Sequence, residues 1–236
     1  MKSIDLYGDG IGKVELVEHM GSDLTVVNSA RVSFGKHKTE FDDNDKKLVD
    51  YLIRHRHTSV LEHNFVTFRF KVPLFVRSQH HRHRTWSYNE ISRRYTDFNI
   101  EFYQPTEFRK QHKTNRQAST NETFDPDFYS AGLDMSHRAS TLVAGHFKDS
   151  LTLFNKLIDS GVCKEQARMV LPQSMYTEYY GSANLSNILK FVDLRTHEGA
   201  QWEIQKVGEA VLDIVSELYP ETVSAYRRIR DERHSS

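Results

Sequence analysis

The sequence feature that most constrains the fold of this chain is a run of alternating side chains at residues 64–73. Apolar residues occupy positions 66, 68, 70 and 72, and polar residues occupy the positions between them. Successive side chains of a β-strand point to opposite faces of its sheet, so this period of two is typical of a strand with one buried face. Pro73 has no N–H group for a ladder hydrogen bond and ends the run. The pattern therefore predicts a half-buried strand.

Apolar periodicity predicts further elements along the chain. Before the half-buried strand, it predicts two strands around the glycines at positions 8 and 10, and a helix that begins at Asp42 or Asp43 and runs towards His55. After that strand, it predicts a strand at 98–103, helices at 142–158, 164–171, 185–194 and 204–218, and a short basic helix at the end of the chain. Residues 109–127 are rich in Gln, Asn, Thr and Ser, so we expect an exposed, mobile loop there.

The overall composition narrows the class of protein. With 236 residues, 38% of them apolar and 27% charged, the chain fits a soluble globular protein of one domain, although two domains are possible at this length. Lys plus Arg equals Asp plus Glu at 32 each, so no global positive field exists to attract nucleic acid or an anionic membrane. No segment approaches membrane-spanning length, and the N-terminus lacks the apolar stretch of a secretory signal. We therefore expect a cytoplasmic protein.

Cysteine usage limits the thiol chemistry of the chain. Cys163 is the single cysteine, which excludes an intrachain disulfide and a zinc site built from several thiolates. It follows Gly161 and Val162 at a predicted helix start, a position that could favour a nucleophilic thiolate. Cysteine is also a common small buried residue, and that ordinary role is the interpretation that we favour.

The densest chemistry lies in residues 82–95, which read Arg-His-Arg-Thr-Trp-Ser-Tyr-Asn-Glu-Ile-Ser-Arg-Arg-Tyr. Guanidinium groups present planar forks of donors that suit phosphate oxygens, and serine hydroxyls can complete such a cradle. Trp86, Tyr88 and Tyr95 could stack on a flat heterocycle, so the segment suits a nucleotide or a nucleotide-containing cofactor. Glu90 is the one carboxylate among these arginines. It is either their counterion or an acceptor for a ring imide or ribose hydroxyl, and both interpretations stay open.

This segment resembles the signature of the flavin-dependent thymidylate synthases, which is Arg-His-Arg, two residues, Ser, one residue, Asn-Glu, one residue, Ser, one residue, Arg-Tyr. Every fixed position is matched from Arg82 to Tyr95. Residues 30–34, 57–63, 167–172 and 200–205 also look like blocks of that family, whereas 106–134 contain nothing that we recognise. The resemblance implies an α+β fold over residues 1–236, in which a twisted, mainly antiparallel sheet is surrounded by helices in a single domain.

The resemblance also implies an activity. The family methylates dUMP to dTMP, with 5,10-methylenetetrahydrofolate as carbon donor and FAD, reduced by NADPH, as hydride carrier. No cysteine nucleophile and no metal are required, and Ser92 has no evident neighbour to activate its hydroxyl, so we assign Ser92 to binding. Family members are homotetramers whose active sites take residues from more than one subunit. These properties predict small-molecule ligands and no nucleic-acid or membrane partner.

The resemblance assigns roles to individual residues. The matching arginine of the family lies beside the pyrimidine and favours ionisation at N3, so Arg195 is the predicted catalytic residue. Lys190 stands where a relative has asparagine, and its charge could meet an FAD phosphate. The residues expected around dUMP are Gln79, Arg82, Glu90, Ser92, Arg93, Arg94, Arg168 and Arg195. Those expected around FAD are His57, Ser59, Arg82, His83, Arg84, Glu90, Asn184, Ser186 and Lys190.

Two other classes of function remain as alternatives. A metal-dependent hydrolase would draw its ligands from six histidines, although alternate residues diverge on a helix and no aspartate-rich motif accompanies them. These histidines are His55, His57, His63, His80, His81 and His83. A nucleic-acid binding protein would use residues 82–95 as cations and stacking rings for a single strand, but the neutral overall charge argues against this function.

Overall fold

The computed structural model describes residues 2–116, 118–130 and 135–234. The strands are β1 (Ser3–Asp5), β2 (Lys13–Met20), β3 (Phe65–Pro73), β4 (Ser87–Glu90), β5 (Phe108–Gln111), β6 (Ser119–Phe124), β7 (Asp127–Ser130), β8 (Met135–Arg138) and β9 (Tyr176–Asn184). The helices are α1 (Asp23–Arg31), α2 (Asp43–Arg54), α3 (Leu74–His80), α4 (Ala139–Asp159), α5 (Lys164–Ala167), α6 (Leu185–Arg195), α7 (Trp202–Leu218) and α8 (Pro220–His234). None of the described helices is both long enough and apolar enough to cross a membrane.

The central feature is a five-stranded sheet with the order β1-β2-β3-β9-β4. All its neighbouring strands pair antiparallel. The longest pairing joins β3 to β9, from Phe65 opposite Asn184 to Pro73 opposite Tyr176. Helices pack around this sheet, and one main core joins both kinds of element. The expected α+β fold with a mainly antiparallel sheet is confirmed.

The strand β3 has the two faces that its alternation predicts. Its side chains at positions 66, 68, 70 and 72 are fully buried. On the other face, Thr67 is hydrogen-bonded to Ser182 at 2.9 Å, and Arg69 donates to Glu178 at 2.8 Å. Each large apolar side chain on the buried face stabilises the fold by roughly 1.5–3 kcal/mol. This burial holds the centre of the sheet in register, because a slip of one residue would expose all four side chains.

Strand β9 lies between β3 and the edge strand β4 and was not predicted from the sequence. Its sequence places tyrosines on both faces and ends in Gly-Ser-Ala-Asn, a composition that indicates a turn more than a strand. Gly181 is required by packing, because a Cβ atom added there would lie 2.8 Å from Cε2 of Phe70. The glycine that weakens the strand pattern therefore admits the Phe70 ring to the core.

Gly181→Ala is expected to destabilise the protein by roughly 1–3 kcal/mol, because the Phe70 ring must shift within a close-packed core. The free energy of unfolding from urea titration measures this effect. Gly145→Ala in α4 is the matched control, since an added Cβ atom meets nothing within 4 Å there. Alanine is the better helix former, so this control should gain roughly 0.5–1 kcal/mol. Equal stability of both variants would contradict the packing role of Gly181.

Several predicted elements are confirmed with shifted ends. Asp42 caps α2 by accepting hydrogen bonds from the backbone of Asn44 and Asp45 at 2.9 and 3.1 Å. The helices predicted at 142–158, 185–194 and 204–218 correspond to α4, α6 and α7. The helix predicted at 164–171 ends earlier, because α5 gives way to a 3₁₀ turn at Arg168–Val170. The final helix, α8, has 15 residues and is longer than predicted, and α1 was not predicted.

Of two predictions between the motif and α4, the first is wrong and the second holds only for the exposure of the segment. Residues 98–103 do not form a strand of the sheet, because Asn99 has a left-handed φ of 51° and Phe102 makes only an isolated bridge to Met175. The expected loop at 109–127 contains the hairpin β5–β6 and the first residue of β7. Most side chains of β6 are exposed, and residue 117 lies outside the described residues. Pairing between two polar strands supplies backbone hydrogen bonds that composition does not reveal.

Candidate active site

The middle of the motif segment at residues 82–95 pairs with the sheet and holds the segment in place. Residues 87–90 form the edge strand β4, which pairs with β9 from Ser87 opposite Ser182 to Glu90 opposite Tyr179. The turn between α3 and β4 is fixed by Tyr88, whose hydroxyl donates to the carbonyls of His80 and His83 at 2.9 and 3.1 Å. The arginines of the motif therefore lie in this turn and just after the edge strand.

A first cluster forms around Arg195, the last residue of α6. Its Nε donates to Nε2 of His83 at 3.0 Å, and its Nη2 donates to the backbone carbonyl of Gln79 at 3.1 Å. Nη1 has no hydrogen-bond partner within the described chain. Burial, with a smaller effect of the Arg82 charge, lowers the pKa of Arg195. This cluster, which we call the Arg195 cluster, thus presents an oriented cation with a free N–H edge.

The contact with Arg195 defines the state of His83. An arginine can only donate, so Nε2 of His83 must accept and the ring must be neutral. Burial, then the charges of Arg195 and Lys190, lower the pKa of His83 from 6.5 to about 4. His83 therefore stays neutral at physiological pH and holds the guanidinium in place.

The stability of the protein is expected to fall as pH drops from about 6.5 to about 4. In this window the unfolded chain protonates His83 and the folded chain does not, so acid favours unfolding. His80 and His81, whose pKa values burial also lowers, act in the same direction. His83→Gln keeps an acceptor for Arg195 and removes the titration of this side chain. Between pH 7.5 and 5, the slope of the unfolding free energy against pH should therefore decrease by the equivalent of up to about one bound proton.

Urea titration of wild type and His83→Gln at both pH values measures this difference. His63→Gln, at an exposed histidine outside the Arg195 cluster, is the matched control and should keep the wild-type pH dependence. An unchanged pH dependence in His83→Gln would contradict the neutral, buried role of His83.

A second cluster lines a cavity of about 670 Å³, and we call it the Glu90 cleft. Glu90 accepts a hydrogen bond from Thr177 at 2.6 Å, and Nε of Arg77 lies 3.1 Å from the same Oε1 atom. Oε2 of Glu90 has no partner within the described residues. The counterion of Glu90 therefore lies outside the motif, and one carboxylate oxygen is available to a ligand. The predicted site residues that line the cleft are Glu90, Ser92, Arg93 and Arg168.

The cations near the Glu90 cleft differ in availability. Arg93 is buried, and its Nη groups donate to the carbonyls of Phe98 and Asn99 at 2.7 and 3.3 Å, so it closes the chain after the motif into a turn. Arg94 is exposed and lies 3.5 Å from Glu165. Arg168 is exposed, and its Nε donates to the carbonyl of Glu165 at 3.3 Å. Arg94 and Arg168 can therefore turn towards an anion at little cost.

A third group lines a cavity of about 530 Å³ beside α6, which we call the α6 cleft. Three of the predicted cofactor residues line it: His57, Ser186 and Lys190. Asn184 is the N-cap of α6 and accepts from the backbone of Asn187 at 2.9 Å, so it fixes the helix start without lining the cavity. Ser59 and Arg84 are exposed and also lie outside the lining of this cavity.

The α6 cleft suits an anionic ligand with a flat ring. Arg56, Lys190 and Arg233 supply positive charge along its walls. Leu52, Leu61 and Leu189 supply apolar surface. Lys190 also lowers the pKa of His83, which places the α6 cleft beside the Arg195 cluster.

The structure contradicts two interpretations of the sequence, the stacking role of Trp86 and the burial of Cys163. Trp86 is buried and packs against Phe70 and Phe191, so it cannot stack on a ligand. Cys163 is exposed, not buried, and lines neither the Glu90 cleft nor the α6 cleft. Among the described residues, no group of three or more His, Cys, Asp or Glu side chains is placed to hold a metal ion.

Four residues of the site were missed in the sequence. Arg77 and Thr177 contact Glu90, and Thr177 lies on the unpredicted strand β9. Gln201 and Glu203 lie behind Gln79, joined to it by hydrogen bonds. The family block at 200–205 contains Gln201 and Glu203 and could have indicated them. It does not reveal which residues they contact.

Comparison with known proteins identifies the family. The model of the thymidylate synthase complementing protein family matches residues 15–221. A flavin-dependent thymidylate synthase of Thermus thermophilus is 41% identical over 215 residues, which are 91% of this chain and 75% of that protein. One of Kosmotoga olearia is 40% identical over 91% of this chain and 90% of its own length. The crystal structure of a UMP/dUMP methylase PolB from Streptomyces cacaoi, bound with 5-Br dUMP, superposes with a TM-score of 0.79 at 31% identity and covers 95% of this chain and 97% of that one. The chain therefore belongs to the flavin-dependent thymidylate synthase family.

Proposed function

We propose that this protein methylates dUMP to dTMP, with methylenetetrahydrofolate as carbon donor and FAD, reduced by NADPH, as hydride carrier. The observation that carries this proposal is the Arg195 cluster. Its guanidinium is held by His83 and by the Gln79 carbonyl, with Nη1 left for a ligand. A fixed cation of this kind stabilises negative charge that develops on a pyrimidine ring.

Arg195 supplies the polarisation in the proposed reaction. Placed beside the pyrimidine, its cation favours loss of the N3 proton and activates the ring for attack on the incoming carbon. His83 holds the guanidinium without competing for charge, because it is neutral. Electrostatic stabilisation needs this fixed geometry, since a mobile cation would have to reorganise during the reaction.

The remaining substrate contacts are assigned to the motif and to the Glu90 cleft. Arg82 is exposed, has no side-chain partner within the described residues, and lies close enough to affect the pKa of Arg195. We assign the phosphate of dUMP to Arg94, Arg168 and Ser92, whose guanidinium and hydroxyl groups suit phosphate oxygens. The free Oε2 of Glu90 would accept from a ligand donor. Arg93 lines this cleft and adds positive charge while it holds the following turn.

FAD is assigned to the α6 cleft, whose residues fit the group. Lys190 and the start of α6 beside Ser186 would meet the pyrophosphate, since helix N-termini and cations both favour anions. His57 also lines this cavity, and Ser59, Arg84 and Asn184 would extend the contacts beyond the cavity lining. His83 and Glu90 are the remaining residues that we propose to contact FAD, on the side that faces the substrate. Bound FAD, once reduced, would supply the hydride that the amino-acid side chains cannot supply.

The proposed reaction uses no protein nucleophile. Cys163 lies at the start of α5 and donates to Gln166 with its sulfur 3.8 Å from the amide oxygen, away from the residues that line both clefts. Ser92 Oγ accepts from the backbone N–H of Arg94 at 3.3 Å, and no general base contacts it within the described chain. The protein contributes binding, orientation and charge.

We further propose a homotetramer in which each active site combines the Arg195 cluster of one subunit with the Glu90 cleft of another. The two groups lie on different elements of the chain, one at the end of α6 and the other along β4, β9 and the 3₁₀ turn at Arg168–Val170. Each group on its own leaves a ligand-facing atom unpaired, Nη1 of Arg195 and Oε2 of Glu90.

The test of this function is an anaerobic reduction experiment. NADPH is added to FAD-reconstituted protein with and without dUMP while the flavin absorbance is followed, and methylenetetrahydrofolate is then added. We expect the flavin to bleach, then to reoxidise as dTMP forms. Protein that binds no flavin, or flavin that reoxidises without dTMP, would overturn the proposal. Zinc or iron in stoichiometric amount would instead support the metal-dependent hydrolase.

A further inference from the structure

A chain of hydrogen bonds runs behind Gln79, away from the ligand side. Nε2 of Gln79 donates to Oε1 of Gln201 at 2.5 Å, and Nε2 of Gln201 donates to Oε2 of Glu203 at 2.9 Å. Oε1 of Glu203 accepts from the Tyr103 hydroxyl at 3.1 Å and from Nη2 of Arg109 at 2.6 Å. Glu203 is buried, and it forms an ion pair with Arg109. We call this chain of hydrogen bonds the relay. It begins at Arg109 in β5 and ends at Gln79, a predicted substrate residue.

The relay has a fixed direction. A carboxylate can only accept, so Glu203 requires the amide nitrogen of Gln201 to face it. The Gln201 oxygen then faces Gln79 and requires the amide nitrogen of Gln79 in turn. Oε1 of Gln79 is left outside the relay, and it makes no hydrogen bond within the described residues. Glu203 thus determines, across two amides, which atom Gln79 offers to a ligand.

The hairpin β5–β6 anchors the buried end of the relay. Arg109 packs over the Trp202 ring, 5.0 Å from its centroid, and pairs with Glu203. Tyr103 remains a hydroxyl donor, because burial and then the Glu203 charge raise its pKa. Arg109 lies in residues 106–134, where no family block was recognised, and Tyr103 lies just before them. The hairpin therefore has a structural connection to the substrate side of the molecule.

We propose that Gln79 acts as a fixed hydrogen-bond acceptor for dUMP, and that Glu203, Gln201 and Arg109 are positioning residues that impose this orientation. The inference rests on the proposed function, because it names dUMP as the ligand. The donor of dUMP that such an acceptor can bind is the 3′-hydroxyl of the sugar, because an acceptor that faces N3 would oppose the ionisation that Arg195 is proposed to favour there. A flipped Gln79 amide would present two N–H donors to the same group and lose the hydrogen bond.

The test measures how each protein discriminates dUMP from an analogue that lacks the 3′-hydroxyl. The ligands are dUMP and 2′,3′-dideoxyuridine monophosphate, titrated calorimetrically into FAD-reconstituted protein. Wild type should bind the analogue roughly 10-fold more weakly than dUMP, as expected for one lost hydrogen bond. Gln79→Met, which removes the acceptor, should bring the affinities for the two ligands together.

The ratio of the dissociation constant of the analogue to that of dUMP also tests the positioning residues. In Glu203→Gln the carboxylate no longer orients Gln201, so dUMP should weaken towards the analogue and the ratio should fall towards one. Arg109→Met, a milder change at the hairpin, should lower the ratio in part. Lys206→Met is the matched control, since Lys206 also lies over Trp202, at 5.6 Å, but pairs with Glu209 and not with Glu203. Its ratio should equal that of wild type.

The outcomes separate the inference from the proposed function. Wild type that binds dUMP and forms dTMP but binds the analogue as tightly as dUMP would overturn the inference alone. Glu203→Gln and Arg109→Met that weaken both ligands by one factor would show a structural role and would also overturn it. Wild type that does not bind dUMP would overturn the proposed function, and the inference with it.

Discussion

Arg195→Ala should lower the rate of dTMP formation by about 10²–10³-fold, the effect of removing one preorganised electrostatic group from an active site. The fold and the flavin site should survive, because the guanidinium lies at the end of α6 and the α6 cleft keeps its own lining. Turnover measured with saturating NADPH and methylenetetrahydrofolate tests the rate. Circular dichroism and the visible flavin spectrum test folding and FAD binding.

Two further variants make the result specific to the geometry of Arg195. Arg195→Lys keeps a cation but cannot reach both His83 and the Gln79 carbonyl with one forked group, so its activity should lie between wild type and Arg195→Ala. Arg227→Ala removes an exposed arginine that pairs with Asp213, and it should leave the rate unchanged. Arg195→Ala with near wild-type turnover would refute the catalytic assignment.

Mixing two inactive variants should restore activity if the active sites are shared between subunits. Arg195→Ala disables the Arg195 cluster, and Arg168→Ala disables the Glu90 cleft. In a random mixed oligomer, about a quarter of the sites combine one intact group from each parent. Co-expression of the two variants with different tags, tandem purification and the dTMP assay measure the recovery.

A second mixture serves as the control for this experiment. Arg195→Ala and Arg195→Met both disable the Arg195 cluster, so every site in their mixture carries a defect and no recovery is expected. No gain in the first mixture would show that both groups serve one site within a single chain. A fully active monomer in sedimentation and assay would likewise contradict the shared site.

Local patterns were sufficient for much of the secondary structure. The alternation of β3 and the helical spacing of α4, α6 and α7 appear in short windows of sequence, and all four elements are present. The motif at 82–95 predicted the family, and the comparisons confirm it. The motif also predicted stacking by Trp86, which is wrong because the ring fills the core between sheet and helices. Composition gives the residue type but not the face that it occupies.

The sequence by itself determined the chemical groups, the half-buried strand and the family, because these depend on residue identity and short-range periodicity. Tertiary structure decided how the groups are used. Strand β9 pairs between β3 and β4 because Gly181 admits the Phe70 ring, a contact between residues far apart in sequence. The partners of Glu90, Thr177 and Arg77, lie outside the motif. Gln79 is oriented by the carboxylate of Glu203, which lies more than a hundred positions away in the sequence. Hydrogen-bond direction and burial depend on which surfaces meet, and no local window of sequence contains both partners.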